Sequence, residues 1–553
     1  MTQAEQGSDQ SITVFTARAV RTMEPSLPTA EAVAVRGDTI VEVGTLESMR
    51  PWLDQHPHTI DDTFAEHVLM PGFIDPHLHP AMAALLLPME FTTAVDWDLP
   101  WEKVGAVRSR VELLDRLAEL DQRLAPGEPL FAWGHHPIWH GNVDRATLSE
   151  LVPDRPVIVW HRGYHSLIVN DACIEWMGLD IEAARRHPQI DLERGAFFEN
   201  GLGVANRHFN SFTMATERIR AGLGRMREVI HHGGHTTIAD AAMGMYGFEQ
   251  DWEHLHAVME QPDTPFRVHL MPFVAAAGDP SSDEALVEKI LSYSERNTHR
   301  LTFSDHVKMF ADGGFFAELM MLKPPGYIDG HHGEWLTPPE RFEQLARTLW
   351  NAGARIHVHC TGDLGVELAL STLEKLQWER PRFDHRFTFE HFGISSAQQV
   401  ARMAAVGAAA SVQVYYVYEL SQAFAQHTIG YERASQMSRC GSLERADIPF
   451  ALHSDFTMAP AQPLNNAWVA ANRINESGEV MCANERISLD AAMRAITSNA
   501  AWMIGREDEI GSLRWGKKAD FAVLEEDPWD VGVEGLRDIG IWGTVFEGEK
   551  YAI

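Results

Sequence analysis

The chain has 553 residues, with 46 Lys and Arg against 78 Asp and Glu, for a formal net charge of −32. A surface this acidic repels phosphate backbones and anionic headgroups, which excludes nucleic acid and membranes as expected partners. At 45% hydrophobic and 22% charged, the composition is that of an ordinary globular protein, long enough for two or three domains or for one barrel with additions.

The opening MTQAEQGSDQSITVF lacks the basic start and apolar core of a secretory leader. No run approaches the ~18 apolar residues of a membrane span. Cys173, Cys360, Cys440 and Cys482 are too few and too scattered for a disulfide scaffold, and they point to a reducing, cytoplasmic setting. Over residues 1–66, ITVFTARAVRTM and AEAVAVRGDTIVEVG alternate apolar and polar positions around an RGDT turn, the pattern of short strands. Residues 507–553, with GSLRWGKKADFAVLEEDP and IWGTVFEGEKYAI, look alike. Neither end has enough apolar residues for its own core, so one small β-sandwich domain assembled from both termini is expected.

Between them, over residues 67–506, stand eight short apolar runs suited to buried parallel strands. They are HVLMPGFIDPH, HTTIADAAM, PFRVHLMPFV, HVKMFADGG, ARIHVHC, RFTFEHF, AAASVQVYYV and PFALHSDF. Several gaps carry helical patterns. TPPERFEQLARTLWNAG (337–353) opens with a Thr-x-x-Glu capping box and closes on Gly; GDLGVELALSTLEKLQ and SSAQQVARMAAVG are similar. Strand and helix alternating about eight times predicts an α/β protein, a (β/α)₈ TIM barrel. The gap after the first run, about 85–230, is too long for one crossover and predicts an inserted lid or subdomain at the barrel mouth.

In a barrel, the side chains at the C-terminal strand ends line the active site. Those ends carry His77 and His79 on strand one, Lys308 on strand four, His359 on strand five, His391 on strand six and Asp455 on strand eight. His77 and His79, two apart in a strand, share a face. Imidazole and carboxylate are the ligands that borderline divalent metals such as zinc prefer. Singly, each residue has a plain structural explanation: a polar group near a strand end, a turn-forming aspartate, a buried lysine paired with Asp312. Six of them at strand ends, in order, point to one metal-binding mouth.

The motifs resemble those of the amidohydrolase superfamily. PGFIDPHLH is similar to the family's first-strand signature, VKMFADGG to the lysine strand, and HVHCTGDLGVE to a His-Ala-Ile-Gly-Asp segment in which Cys360 and Thr361 replace Ala and Ile. FTFEHF and HSDFTMAP match the sixth- and eighth-strand motifs, and the tail GSLRWGKKADFAVLEEDP looks like the family's closing stretch. Together they resemble the type-3, YtcJ-like subgroup, which includes N-substituted formamide deformylases, over about residues 13–546.

That resemblance implies the following roles. His77, His79 and Asp455 would bind the more buried metal, and His359 and His391 the second. Lys308 would bridge the two as a carbamate formed with carbon dioxide. One or two divalent ions, zinc foremost, are the expected cofactor. Asp455 would accept the proton of a metal-activated water and pass it to the leaving nitrogen. YHSLIVN (164–170) resembles a recurring subgroup segment and brings His165 toward the substrate, with Asp312 as a second substrate contact. FAWGHHPIWHG (131–141) reads mainly as core, and HHGGH (231–235) and DGHHGE (329–334) as solvent-exposed loops. The implied activity is hydrolysis of a carbon–nitrogen bond of amide, formamide or carbamate type in a small molecule, with a lactone or ester as the alternative on the same site. Lys308 argues against a deaminase, and the filled ligand positions argue against a binding protein. A homodimer is the assembly to test.

Overall fold

A computed structural model describes residues 11–277 and 281–553. Both chain ends enter one sheet. Its strands run in the order Glu549–Ala552, Ile541–Phe546, Phe521–Leu524, His58–Pro71, Ile12–Arg21, Thr29–Arg36, Thr39–Gly44. Period-two alternation puts Phe15, Val33, Leu69, Phe521 and Val523 in one buried cluster. Ile12, Val14, Ala32 and Ala34 pack instead with Met49 and Leu53 of the helix Leu46–Leu53. The expected two-sheet sandwich is therefore one hydrogen-bonded sheet. It curls back on itself, because Thr39 on the far strand bridges to Lys518 and Ile40 N–H donates to Lys517 O at 2.8 Å. Twist accumulated over seven strands makes that return possible, and it covers an edge that would otherwise stay open.

Each of the eight apolar runs contains a strand: β1 (Phe73–Leu78), β2 (His235–Met243), β3 (Arg267–Pro272), β4 (His306–Phe310), β5 (Arg355–Cys360), β6 (Thr388–His391), β7 (Ala409–Val412) and β8 (Phe450–Leu452). They form two parallel sheets, one of β1, β2 and β3 with Leu301–Phe303 at its edge, the other of β4 to β8 in order. At one margin Phe273 bridges Lys308 of β4. At the other, Asp455 N–H donates to His77 O at 3.0 Å and His79 N–H to Phe456 O at 3.1 Å. The strands are buried almost throughout, as parallel strands covered on both faces must be.

Local chemistry moves several expected boundaries. HVLMPGFIDPH is divided at Gly72, which leaves Val68–Met70 in the terminal sheet. A Cβ on Gly72 would stand 2.0 Å from Thr236 Oγ1, so only glycine lets the chain pass from one sheet into the next here. AAASVQVYYV stops being a strand at Val412, and Tyr415–Glu419 is helical. The helix Pro339–Asn351 forms without its expected Thr337 capping box. Pro339 takes the first helical position and Pro338 the cap, so Thr337 lies one residue too far out. Ser396 and Gln399 do form a full capping box on Ala397–Val406, and Gly407 closes that helix at φ 71°.

The segment between β1 and β2 builds a six-stranded sheet of its own. The order is Ile190–Asp191, Ala196–Phe198, Ser166–Val169, Val157–His161, Leu130–His135, Glu90–Phe91. FAWGHHPIWHG is core within it: Phe131 and Trp133 are buried, and so are His135, His136 and His140, whose rings bond to backbone groups such as Val107 O. HHGGH is not an exposed loop. His231 and His232 end the helix Thr216–His232, and His235 is buried at the start of β2 with Nδ1 bonded to Ile230 O at 2.9 Å. The Gly233–Gly234 pair turns so tightly that no loop remains. DGHHGE lies in irregular structure with His332 exposed, as expected. Among the described residues, no helix is long and apolar enough to cross a membrane, and no disulfide forms.

Candidate active site

Period-two alternation builds the site from pairs. Asp75 and His77 follow one face of β1 with His79 just beyond its end, His306 and Lys308 one face of β4, and His357 and His359 one face of β5. His453 and Asp455 repeat the spacing just beyond β8. Glu390 and His391 are adjacent and would diverge in a regular strand. A left-handed backbone at His391 (φ 66°) turns its ring back beside the others, and Asp455 has the same conformation (φ 54°). Such a conformation costs a non-glycine residue ~1–2 kcal/mol, and it clusters at functional sites.

The donors converge. His79 Nε2 lies 3.0 Å from Asp455 Oδ1, and His77 Nε2 lies 3.6 Å from the same oxygen. His391 Nδ1 is 3.6 Å from Asp455 Oδ2 and 3.2 Å from His453 Nε2. His359 packs edge-on to His391 with ring centroids 4.5 Å apart. Zinc with tetrahedral bonds of about 2.0–2.1 Å separates its ligands by about 3.3 Å, so the spacing of His77, His79 and Asp455 fits a metal. Two buried atoms, His391 Nε2 and Asp455 Oδ1, lack a hydrogen-bond partner among the described residues, as open ligand positions would. Burial, with neighbouring cations, holds His77 and His391 well below the ordinary imidazole range and takes His359 to about 3, so the rings are neutral and free to ligate.

Beneath the ligands lies a buried network that strand-end reading alone misses. Glu390 sits between His77 Nδ1 (2.6 Å) and His357 Nδ1 (2.5 Å), and His357 Nε2 meets His306 Nδ1 at 2.8 Å. Burial raises the Glu390 pKa, but Lys308 and His357 pull it down further, to about 2. An ionised carboxylate only accepts, so His77 and His357 each donate Nδ1–H, and the Nε2 lone pair of His77 is left facing Asp455. Lys308 Nζ lies 3.5 Å from both ring nitrogens of His77 and is fully buried, and burial takes its pKa down to about 8. Asp75 accepts N–H from His77 and from Ser454, each at 3.1 Å, tying β1 to the segment after β8. His453 and Glu390 were missed although signals existed: His453 stands two before Asp455, as His77 stands two before His79, and Glu390 adjoins His391.

His79, His359, His391 and Asp455 open into one cavity of about 420 Å³. His165 lines its wall, with Nδ1 3.0 Å from Glu199 Oε1. Lys308 and His77 lie below the floor. Asp312 is not among the lining residues. It is fully buried, and its carboxylate accepts N–H from Met321, Thr361 and Gly362, each at 2.9 Å. Those bonds engage both oxygens away from the cavity, so the expected substrate contact is replaced by a clamp on the segment after β5.

Parallel sheets whose strand ends carry clustered imidazoles and a carboxylate over a cavity have the architecture of metal-dependent hydrolases. Residues 65–550 match the amidohydrolase family, and the chain is an enzyme that belongs to it. N-substituted formamide deformylase of Arthrobacter pascens is 23% identical over 96% of this chain and 96% of its own length. Protein LONG AFTER FAR-RED 3 of Arabidopsis thaliana is 22% identical over 92% of this chain and 86% of its own. Among solved structures, an uncharacterized metal-dependent hydrolase of Pyrococcus horikoshii superposes with a TM-score of 0.72 at 19% identity, covering 95% of this chain and 100% of its own.

Proposed function

We propose that this chain hydrolyses a carbon–nitrogen bond of amide, formamide or carbamate type in a small molecule, using one or two zinc ions. The supporting observation is the approach of His79 Nε2 and His77 Nε2 to Asp455 Oδ1, at 3.0 and 3.6 Å, at the floor of a cavity. In this reading the two parallel sheets are one closed (β/α)₈ barrel, with the terminal sheet as a separate domain and the segment between β1 and β2 as its lid. His77, His79 and Asp455 would hold one ion and His359 and His391 a second, and Lys308, if carboxylated by carbon dioxide, would supply an anionic oxygen ligand. When bound, the ions supply Lewis acidity, acidifying water and polarising a carbonyl. Asp455, beside that floor, takes the proton from water and delivers it to the departing nitrogen. His165, braced by Glu199, hydrogen-bonds the substrate from the wall, and the apolar walls keep bulk water out.

The test is elemental analysis of purified protein followed by assay of N-substituted formamides, carbamates and lactones. The reading expects one to two equivalents of zinc and release of amine from a formamide or carbamate. Active protein with less than about a tenth of an equivalent of metal would overturn the metal assignment, and turnover of lactones alone would overturn the bond assignment.

A further inference from the structure

The cavity walls are apolar well beyond what a metal site needs. Phe273 stacks on Phe310 with ring centroids 4.5 Å apart, and Phe315 on Tyr416 at 4.0 Å and 7°. All four rings line the cavity, with Met245 and Leu336 beside them. Among the described residues, no Lys or Arg side chain lines it. Cations close by are committed elsewhere: Arg341, in the adjoining cleft that shares Leu336 and Thr337, bonds to both oxygens of Asp283. Arg162 lies behind Phe316, with its guanidinium 4.4 Å from that ring, and it bonds to both oxygens of Glu419 and to Met458 O. Lys308 lies beneath His77. An anionic group entering here would shed its hydration and find no cation along the walls to replace it. A flat hydrocarbon group would meet two preformed aromatic pairs whose rings need not move.

We propose that the substrate is uncharged and carries an apolar, preferably aromatic, N-substituent, so that the enzyme discriminates against otherwise matched amides bearing a carboxylate, sulfonate or phosphate. This rests on the carbon–nitrogen hydrolase reading. The polar contacts left to the substrate are those at the reacting carbonyl, from the floor and from His165. The rest of the molecule is recognised by shape and by aromatic packing, and acidic N-acyl amino acids are poor substrates.

A matched set tests this with the zinc-loaded full chain: N-(2-phenylethyl)formamide, N-formylphenylalanine, which adds one carboxylate to the same skeleton, and the methyl ester of that acid. The expected kcat/KM is about 100-fold or more lower for the acid than for the amine derivative, with the ester recovering most of the loss. Leu336→Arg, on the exposed side of the cavity, should narrow the acid-to-neutral ratio by about tenfold or more. An acid turned over as well as the neutral compound would overturn the proposal. If no compound in the set is hydrolysed, the formamide reading fails separately, and calorimetric titration of the same compounds decides this one. Tighter binding of the neutral compound by about tenfold supports it; equal or tighter binding of the acid overturns it.

Discussion

Glu390 Oε2 accepts the Nδ1–H of His77 at 2.6 Å while Oε1 accepts that of His357 at 2.5 Å, so one buried carboxylate fixes the tautomers of two rings. In Glu390→Gln the amide offers one acceptor and one donor, and one ring must change tautomer or lose its bond. Zinc affinity should fall about 10–100-fold, read by competition with a chromophoric chelator, with unchanged far-UV circular dichroism. Wild-type affinity in this variant would show that the orientation of His77 does not depend on Glu390.

Asp455→Asn should leave the backbone undisturbed, because asparagine tolerates the left-handed conformation found there at φ 54°. A neutral amide cannot take up the proton. Steady-state kinetics should show kcat lower by roughly 10²–10⁴ with a much smaller change in KM. Turnover within about threefold of wild type would remove Asp455 from proton transfer.

Arg162 and Glu419 form a buried two-bond ion pair, with both contacts at 3.0 Å and side chains 1% and 0% exposed. Burial already raises the Glu419 carboxyl pKa despite the adjacent guanidinium. Arg162→Met strands that carboxylate and should cost about 3–5 kcal/mol in denaturant unfolding, whereas Arg162→Met with Glu419→Leu should recover most of the loss. A double variant as unstable as the single one would point to lost packing around Trp133 and Phe316 instead.

His235 governs part of the acid response away from the site. Burial takes its pKa from 6.5 down to about 4. Between those values the unfolded chain binds a proton that the folded chain refuses, so stability falls as pH drops through this window. The loss for this one group is about 2 kcal/mol between pH 7 and pH 5. Urea titrations at the two pH values should show His235→Gln losing less stability than wild type by about that amount. Identical losses would mean that His235 is protonated in the folded state.

The strand-end residues were legible because a period of two and a shared strand terminus bring side chains far apart in sequence to one place. His79, His359, His391 and Asp455 open on the same cavity, with His77 and Lys308 just below it. His391 is instructive, since the alternation that brings Glu390 inward would send it outward, and only its φ of 66° corrects this. No local pattern carries that angle. Asp312 failed as a substrate contact for a related reason: a carboxylate near a strand end looks the same in sequence whether it faces a cavity or three backbone N–H groups. The eight apolar runs were readable as strands, but their limits were set by contacts that no short window contains, such as Thr236 against Gly72.

The terminal sheet has a consequence for how the chain is made. The strand His58–Pro71 pairs on one side with Ile12–Arg21, which is synthesised early, and on the other with Phe521–Leu524. Roughly 500 residues separate those two partners, and at ribosomal rates of about 5–20 residues per second the second one arrives some 25–100 s after the first. Throughout that interval the nascent chain presents a strand edge with its peptide groups unpaired, an invitation to join a neighbouring chain on the same messenger. Soluble yield should therefore depend on whatever shields that edge during translation, and slowing elongation through residues 72–520 should lower yield even though it leaves the finished fold unchanged.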